Sequence, residues 1–147
     1  MSEQEHEREP GHTSGTAERA PRDLHPPVQL IHLGEMVAEL QAEREGRSLD
    51  HSAITLRNAT ALRQVLIAFR AGGEMADHHA DGGVAIQVLS GEVVVTVQGA
   101  QHALAAGDLL DLEPGLIHSL SARRESAILL TVAPVGSLDH PAAPGAS

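Results

Sequence analysis

The sequence contains no cysteine, no tryptophan and no tyrosine, and its single phenylalanine is Phe69. Without cysteine the chain can form neither disulfides nor thiolate-ligated zinc or iron–sulfur sites. Aromatic residues make up 1% of the 147 residues. This scarcity disfavours binding modes that depend on ring stacking, as in many nucleic-acid and sugar sites. Because the hydrophobic share is still 41%, we expect a core built from aliphatic side chains.

Lysine is also absent, so all 10 basic residues are arginines, and 20 acidic residues bring the net charge to −10. A phosphate backbone would be repelled by this charge, and we expect no nucleic-acid partner. No apolar run is long enough to span a bilayer, and the acidic stretch from Met1 to Arg8 lacks the apolar core of a secretory signal. These features predict a cytoplasmic protein without membrane contact.

Composition divides the chain into one domain with two polar ends. Residues 1–27 and 135–147 are rich in Pro, Gly and polar residues and hold few apolar side chains, so we expect two disordered tails. Residues 28–134 form the predicted domain. It opens with a predicted amphipathic helix at about 33–45. Leu33, Met36, Val37 and Leu40 share one face of this helix, and Gly46 is expected as its C-terminal cap.

The rest of the domain, about 52–133, alternates short aliphatic runs with glycine-containing turns, which is typical of an all-β sandwich or barrel. Ser90-Gly91 is predicted to form a tight hairpin, and Gln98-Gly99-Ala100 turns the next corner. The pattern predicts eight strands, at Ser52–Arg57, Leu62–Arg70, Val84–Leu89, Glu92–Gln98, Gln101–Ala105, Leu109–Leu112, His118–Ala122 and Ala127–Ala133.

Two blocks between Gly72 and His118 place a histidine beside turn glycines, and they resemble the two motifs of the cupin superfamily. Gly72, His78 and Gly91 match the first motif, G-x5-H-x-H-x3,4-E-x6-G, and Gly107, Gly115 and His118 match the second, G-x5-P-x-G-x2-H-x3-N. The chain is similar to small single-domain cupins. The resemblance implies an all-β, cupin-type double-stranded β-helix, or jelly-roll barrel, carrying one short N-terminal helix.

In the full cupin motif, three histidines and a glutamate point into the barrel and hold iron, manganese, nickel or zinc. Ala80 stands at the second histidine position of this chain, and Val84 stands at the glutamate position. The resemblance therefore implies a metal site reduced to His78 and His118. It leaves open whether a divalent metal (Fe, Mn, Zn or Ni) is held weakly or no metal is bound.

An alternative register makes His79 the inward-facing residue. Asp77, His79 and His118 would then form a set of two histidines and one carboxylate that is able to hold ferrous iron. Adjacent residues of a strand point to opposite faces, so His78 and His79 cannot both enter the pocket without a bulge. In either register, alternation places Val84, Ile86 and Val88 on one face, and these residues are expected to line an apolar pocket.

The remaining histidines carry less information. His32 and His51, on either side of the helix, are expected on the surface, and His102 lies on a strand that can face either way. Gln87 is expected on the outer face of its sheet.

Three functions are consistent with these residues. The first is a barrel that binds a small molecule and, through His78 and His118, a divalent metal. The second is a metal-dependent enzyme of the dioxygenase or lyase type, acting on a small organic acid through Asp77, His79 and His118. The third is a structural role, in which a homodimer pairs sheet against sheet and the pocket is vestigial. A homodimer is compatible with all three, and we expect one.

Overall fold

The computed structural model describes residues 22–134. Of the two predicted tails, 1–27 and 135–147, residues 1–21 and 135–147 lie outside the described residues. One helix, α1 (Leu33–Gly46), precedes nine strands. These are β1 (His51–Asn58), β2 (Arg63–Phe69), β3 (Glu74–His78), β4 (Val84–Ser90), β5 (Glu92–Val97), β6 (Ala100–Ala105), β7 (Leu109–Leu112), β8 (His118–Ala122) and β9 (Ser126–Val132).

The strands form two antiparallel sheets that face each other. One sheet has the order β1-β2-β9-β4-β7, and the other has the order β3-β8-β5-β6. Between them lies an aliphatic core in which Phe69 is the one aromatic ring; it includes Val65, Ile67, Val88, Val93, Val95 and Ile128. The predicted all-β jelly roll with one short helix is confirmed.

The structure has one strand more than the sequence pattern predicted. Strand β3 was missed because it is an edge strand with a single buried residue, Met75, followed by the exposed Asp77 and the half-buried His78. A strand that faces solvent on most of its length shows little hydrophobic alternation. The missed strand carries one of the two histidines of the predicted site.

The predicted hairpin at Ser90-Gly91 is wrong. Strand β4 pairs with β7 and β9, whereas β5 pairs with β6 and β8, so Gly91 carries the chain from one sheet to the other. Gly91 has φ of +85°, and a Cβ there would lie 2.4 Å from the carbonyl oxygen of Glu125. The corner therefore requires glycine. The turn at Gln98-Gly99 does form a hairpin, between β5 and β6.

Helix α1 covers the outer face of the five-stranded sheet. Its buried Leu40 packs with Ile54, Leu56, Leu66 and Ala68 of β1 and β2. The helix ends one residue later than predicted, and Ser48, with φ of +55°, takes the left-handed cap position that we assigned to Gly46. The backbone N–H groups of Ser48 and Leu49 bind the carbonyls of Glu45 and Arg44, as in a Schellman motif.

A short extended segment before the helix lies along β1. The backbone N–H of Asn58 donates to the Leu24 carbonyl at 2.9 Å, and the Arg57 guanidinium donates to the Pro26 carbonyl at 2.7 Å. These contacts cover the outer edge of the five-stranded sheet, which would otherwise present unpaired backbone groups.

Candidate functional site

The candidate site lies at one end of the barrel, where β3 and β8 pair and His78 stands directly opposite His118. Met75 and His78 are three positions apart, so simple alternation would put them on opposite faces of β3. The pairing of β3 with β8 shifts register between these two residues. As a result, Met75, His78 and His118 all line one cavity.

The two imidazoles are in direct contact. Their ring centroids are 4.5 Å apart with an interplanar angle of 61°, an edge-to-face arrangement. His118 is buried, with 4% of its surface exposed, and His78 is half-buried. Segments 40 positions apart in the chain thus bring two titratable rings together.

The tautomer of neutral His118 follows from its hydrogen bond. Its Nδ1 lies 3.1 Å from the carbonyl oxygen of Leu116. Because a carbonyl oxygen can only accept, Nδ1 must carry the proton in this bond. The lone pair of the neutral ring is therefore on Nε2, the nitrogen that remains able to accept a proton or bind a ligand.

The cavity at the histidine pair is small and apolar. Apart from the two imidazoles, Ala76 and Ser119, its lining consists of Met75, Leu120 and four residues of the opposite sheet, Ile67, Ile86, Ile128 and Leu130. Its volume is about 10 Å³. That is room for about one water molecule.

The expected pocket residues Val84, Ile86 and Val88 are all buried in the core, at 7%, 1% and 0% exposure. Of the three, Ile86 lines the cavity.

No carboxylate of the described residues lines the cavity at the histidine pair, and Ala80 packs against the core where the family motif has a second histidine. Within residues 22–134, no group of three or more His, Cys, Asp or Glu side chains could hold a metal ion. The residues present therefore do not fit the metal site of the full cupin motif.

Asp77 and His79, which form the alternative ligand set with His118, are both exposed. Asp77 lines a different and larger groove, of about 490 Å³. The groove also has Thr96, Gln98 and Ser119 in its lining, and Thr96 pairs with Ser119 across β5 and β8. The Asp77 carboxylate and the two contacting imidazoles thus belong to different cavities.

The histidines outside the candidate site differ in their exposure to solvent. His32 and His102 are exposed, whereas His51, expected on the surface, is buried at 7% exposure. Its ring packs against Phe69, with centroids 5.6 Å apart. Burial lowers the pKa of His51 from its ordinary value of 6.5, and the neighbouring Asp50 charge partly opposes that shift.

Sequence reasoning also missed Met75 as a residue of the site. The available signal was the spacing of a lone apolar residue three positions before His78, but that spacing indicates a shared cavity only when the register shift of β3 is known.

Comparison with known proteins agrees with this architecture. Residues 65–133 match a family model described as a cupin domain. None of the curated proteins matches the sequence. No helix among the described residues combines the length and apolar character that crossing a membrane requires.

Several solved structures share the fold. A cupin superfamily protein from Desulfitobacterium hafniense is 18% identical with a TM-score of 0.62, covering 78% of this chain and 99% of that one. An RmlC-like cupin from Shewanella frigidimarina is 26% identical with a TM-score of 0.55, covering 58% and 77%. A salicylate 1,2-dioxygenase from Pseudaminobacter salicylatoxidans is 20% identical with a TM-score of 0.63, and the match covers 77% of this chain but 37% of the dioxygenase. At these identities the first and third show the fold alone.

Proposed function

Because this chain carries a cupin-superfamily domain, we propose that it is a binding protein that holds a small ligand at the His78–His118 pair inside the barrel. The observation that carries this proposal is the contact of the two rings, 4.5 Å apart, on a cavity otherwise lined largely by aliphatic side chains. Two polar rings on a small apolar cavity give directional recognition, which is the usual composition of a ligand site.

The size of the cavity limits what enters it. With room for about one water molecule, it accepts an ion or a single polar group, while the body of any larger molecule has to stay outside. The ligand therefore makes its main interaction with the imidazole nitrogens.

Binding is better supported than catalysis of the dioxygenase or lyase type. That mechanism needs Asp77, His79 and His118 in one ligand set, yet Asp77 and His79 are exposed and Asp77 lines a different groove. The salicylate 1,2-dioxygenase resembles this chain in fold, and at 20% identity that resemblance does not indicate a shared activity.

We also propose that the protein is a homodimer that uses the outer face of the five-stranded sheet. Leu89 and Leu129 are half-buried beside helix α1, and Leu109, at the edge of the same sheet, is 60% exposed. Leu109 pairs with Gln87, which is exposed on that outer face as expected. This apolar strip fits a second copy of the chain. A cytoplasmic location and the absence of a nucleic-acid partner stay predictions.

Titration with zinc ions, followed by NMR of the histidine ring protons, tests the binding function. We expect the ring signals of His78 and His118 to change at the lowest zinc concentrations, because both imidazoles contribute. His78→Ala and His118→Ala should abolish this first phase, and His102→Ala, which alters an exposed histidine on β6, should leave it intact. Identical titrations for the parent protein and all three variants would contradict the proposal.

A further inference from the structure

We propose that the groove lined by Asp77, on the outer face of the four-stranded sheet, binds a small organic cation, an amine or guanidinium group carried on a short aliphatic chain. The groove has a volume of about 490 Å³, which is within the range of pockets that hold small molecules. It is a different cavity from the one at the two imidazoles. The inference therefore goes beyond the proposed function and does not depend on it.

Strand alternation places two hydroxyl side chains side by side in the groove. Val95 and Val97 of β5 belong to the core between the sheets, so Thr96, which lies between them, points outward. Ser119 of β8 pairs directly with Thr96. Cross-strand partners point to the same face of a sheet, so the two hydroxyl groups stand next to each other. Both residues line the groove, and both are half-buried.

Two turns at one end of the sheet supply the rest of the lining. Gln98, in the turn between β5 and β6, brings an amide side chain, and the loop 115–117 before β8 brings the aliphatic residues Leu116 and Ile117. Ile117 is 57% exposed, so a ligand can reach it. The groove thus combines a few polar groups with an apolar wall, which is the usual composition of a small-molecule site.

The polar side chains of the groove are not used by the fold. Within residues 22–134, the side chains of Asp77, Thr96, Gln98 and Ser119 make no hydrogen bond or ion pair with another residue. Glu92, on the same sheet, is by contrast paired with two arginines. The donors and acceptors of the groove are therefore available to a bound molecule.

Charge decides which kind of molecule fits. Asp77 carries the one charge in the lining, to which no arginine or histidine of the described residues contributes. An anionic ligand would be repelled by this carboxylate, whereas a monocation is matched by it. A guanidinium group binds a carboxylate through two parallel N–H···O bonds, and hydroxyl and amide oxygens accept its remaining N–H groups. The net charge of −10, on a chain without lysine, attracts cations to the surface as well.

The apolar wall distinguishes an organic cation from an inorganic one. A single exposed ion pair contributes little in water, so the Asp77 carboxylate alone does not hold a cation. An aliphatic chain that covers Leu116 and Ile117 removes apolar surface from water and adds the missing stabilisation. A hard metal ion, which needs several oxygen ligands at once, finds one carboxylate here.

Titration of the full-length protein with butylguanidinium, followed by heteronuclear NMR, tests the groove. We expect saturable shifts in the backbone amide signals of Gln98, Ile117 and Ser119. N-butylurea has nearly the same shape without the charge, and it should bind roughly tenfold more weakly, since charge-assisted hydrogen bonds are about twice as strong as neutral ones. Guanidinium without the butyl chain should also bind more weakly, because it cannot cover the apolar wall.

Variants of the groove identify the groups that bind. Asp77→Asn keeps the shape of the side chain and removes its charge, so it should weaken butylguanidinium binding by roughly tenfold and leave N-butylurea binding unchanged. Thr96→Val replaces the hydroxyl group by a methyl group and should weaken the binding of both compounds severalfold. Asp111→Asn, at an exposed position of the other sheet, removes the same charge outside the groove and should have no effect. The dispersion of the NMR signals checks that each variant is folded.

Three results would overturn the proposal. They are unchanged groove amides at millimolar butylguanidinium, equal affinity for butylguanidinium and N-butylurea, and the full parent affinity in Asp77→Asn. None of these results bears on the histidine pair, because binding there is measured on the ring protons of His78 and His118, which line the other cavity.

Discussion

His51 is the first residue of β1 and lies directly opposite Phe69, the last residue of β2, with the two rings 5.6 Å apart. Burial lowers the pKa of His51 below 6.5, and the nearby Asp50, itself paired with Arg70 at 2.7 Å, opposes the shift. Below pH 6.5 the unfolded chain takes up a proton at His51 that the folded chain resists. The free energy of unfolding should therefore fall as the pH drops from 6.5 to the lowered pKa of the folded state, and level off below it.

The contribution of His51 can be isolated by comparing the parent protein with His51→Gln in urea denaturation at several pH values. One group contributes a slope of at most about 1.4 kcal/mol per pH unit. Below pH 6.5, the free energy of unfolding should therefore change less steeply with pH in His51→Gln than in the parent protein, by up to about 1.4 kcal/mol per pH unit. Parallel curves for the two proteins would show that His51 does not cause the acid sensitivity.

Arg44 connects helix α1 to the barrel through hydrogen bonds. The guanidinium, of which 7% is exposed, donates to Gln41 Oε1 at 2.7 Å, to the Leu49 carbonyl at 3.2 Å and to Glu125 Oε2 at 3.1 Å. Gln41 in turn donates to the Ser126 carbonyl at 2.9 Å. Because the Arg44 guanidinium is buried although Glu125 is exposed, we expect Arg44→Met to lower the free energy of unfolding by about 1–3 kcal/mol.

Arg47→Met provides the control for Arg44, because Arg47 is exposed in the next turn of the chain. Its effect should stay within about 0.5 kcal/mol. Urea denaturation of both variants measures the difference, and equal stabilities would mean that the buried guanidinium adds nothing.

Gly91 and Gly99 form a matched pair for testing the sheet-to-sheet corner. Both have positive φ, +85° and +83°, but a Cβ at Gly91 would lie within 2.4 Å of the Glu125 carbonyl oxygen, whereas a Cβ at Gly99 meets nothing within 4 Å. Gly99→Ala should therefore cost about 1 kcal/mol from backbone strain alone. Gly91→Ala should cost about 3 kcal/mol or more, since backbone atoms must also move. Thermal unfolding compares the two, and similar midpoints would argue against a tight corner.

Leu109 tests the proposed homodimer. Replacing this 60% exposed side chain by glutamate places a charge on the apolar strip and should shift the dimer toward monomer at micromolar concentration. Val28→Glu, at an 86% exposed position outside the strip, should leave the dimer unchanged. Light scattering after size exclusion gives the mass, and a monomeric parent protein at high micromolar concentration would contradict the assembly.

The aliphatic alternation of the chain was sufficient to predict most of the barrel. Strands such as β2 and β9 hold continuous or alternating runs of Val, Ile and Leu, and short runs of this kind between turns are typical of buried strands. Strand β3 could not be found in this way because its side chains mostly face solvent. The corner at Gly91 could not be predicted because a glycine turn has the same local sequence whether the chain folds back within one sheet or crosses to the other.

The site was predicted only in part, for a related reason. The cupin motifs pointed to His78 and His118, and the structure brings these two rings into contact. The place of Met75 depends on the register shift between two paired strands, which no pattern in one strand reveals. A surface position was predicted for His51 because its neighbours Asp50 and Ser52 are polar. That prediction was wrong, since both His51 and Ser52 are buried. Burial at a strand end is decided by what packs over it.

The scarcity of aromatic residues in this barrel has a practical consequence for spectroscopy. With no indole or phenol ring and a single benzyl group enclosed in the core, the protein absorbs almost no near-ultraviolet light. Charge-transfer bands of a bound ion would stand out there against a nearly blank background. A tryptophan introduced by mutagenesis would give fluorescence from one known position.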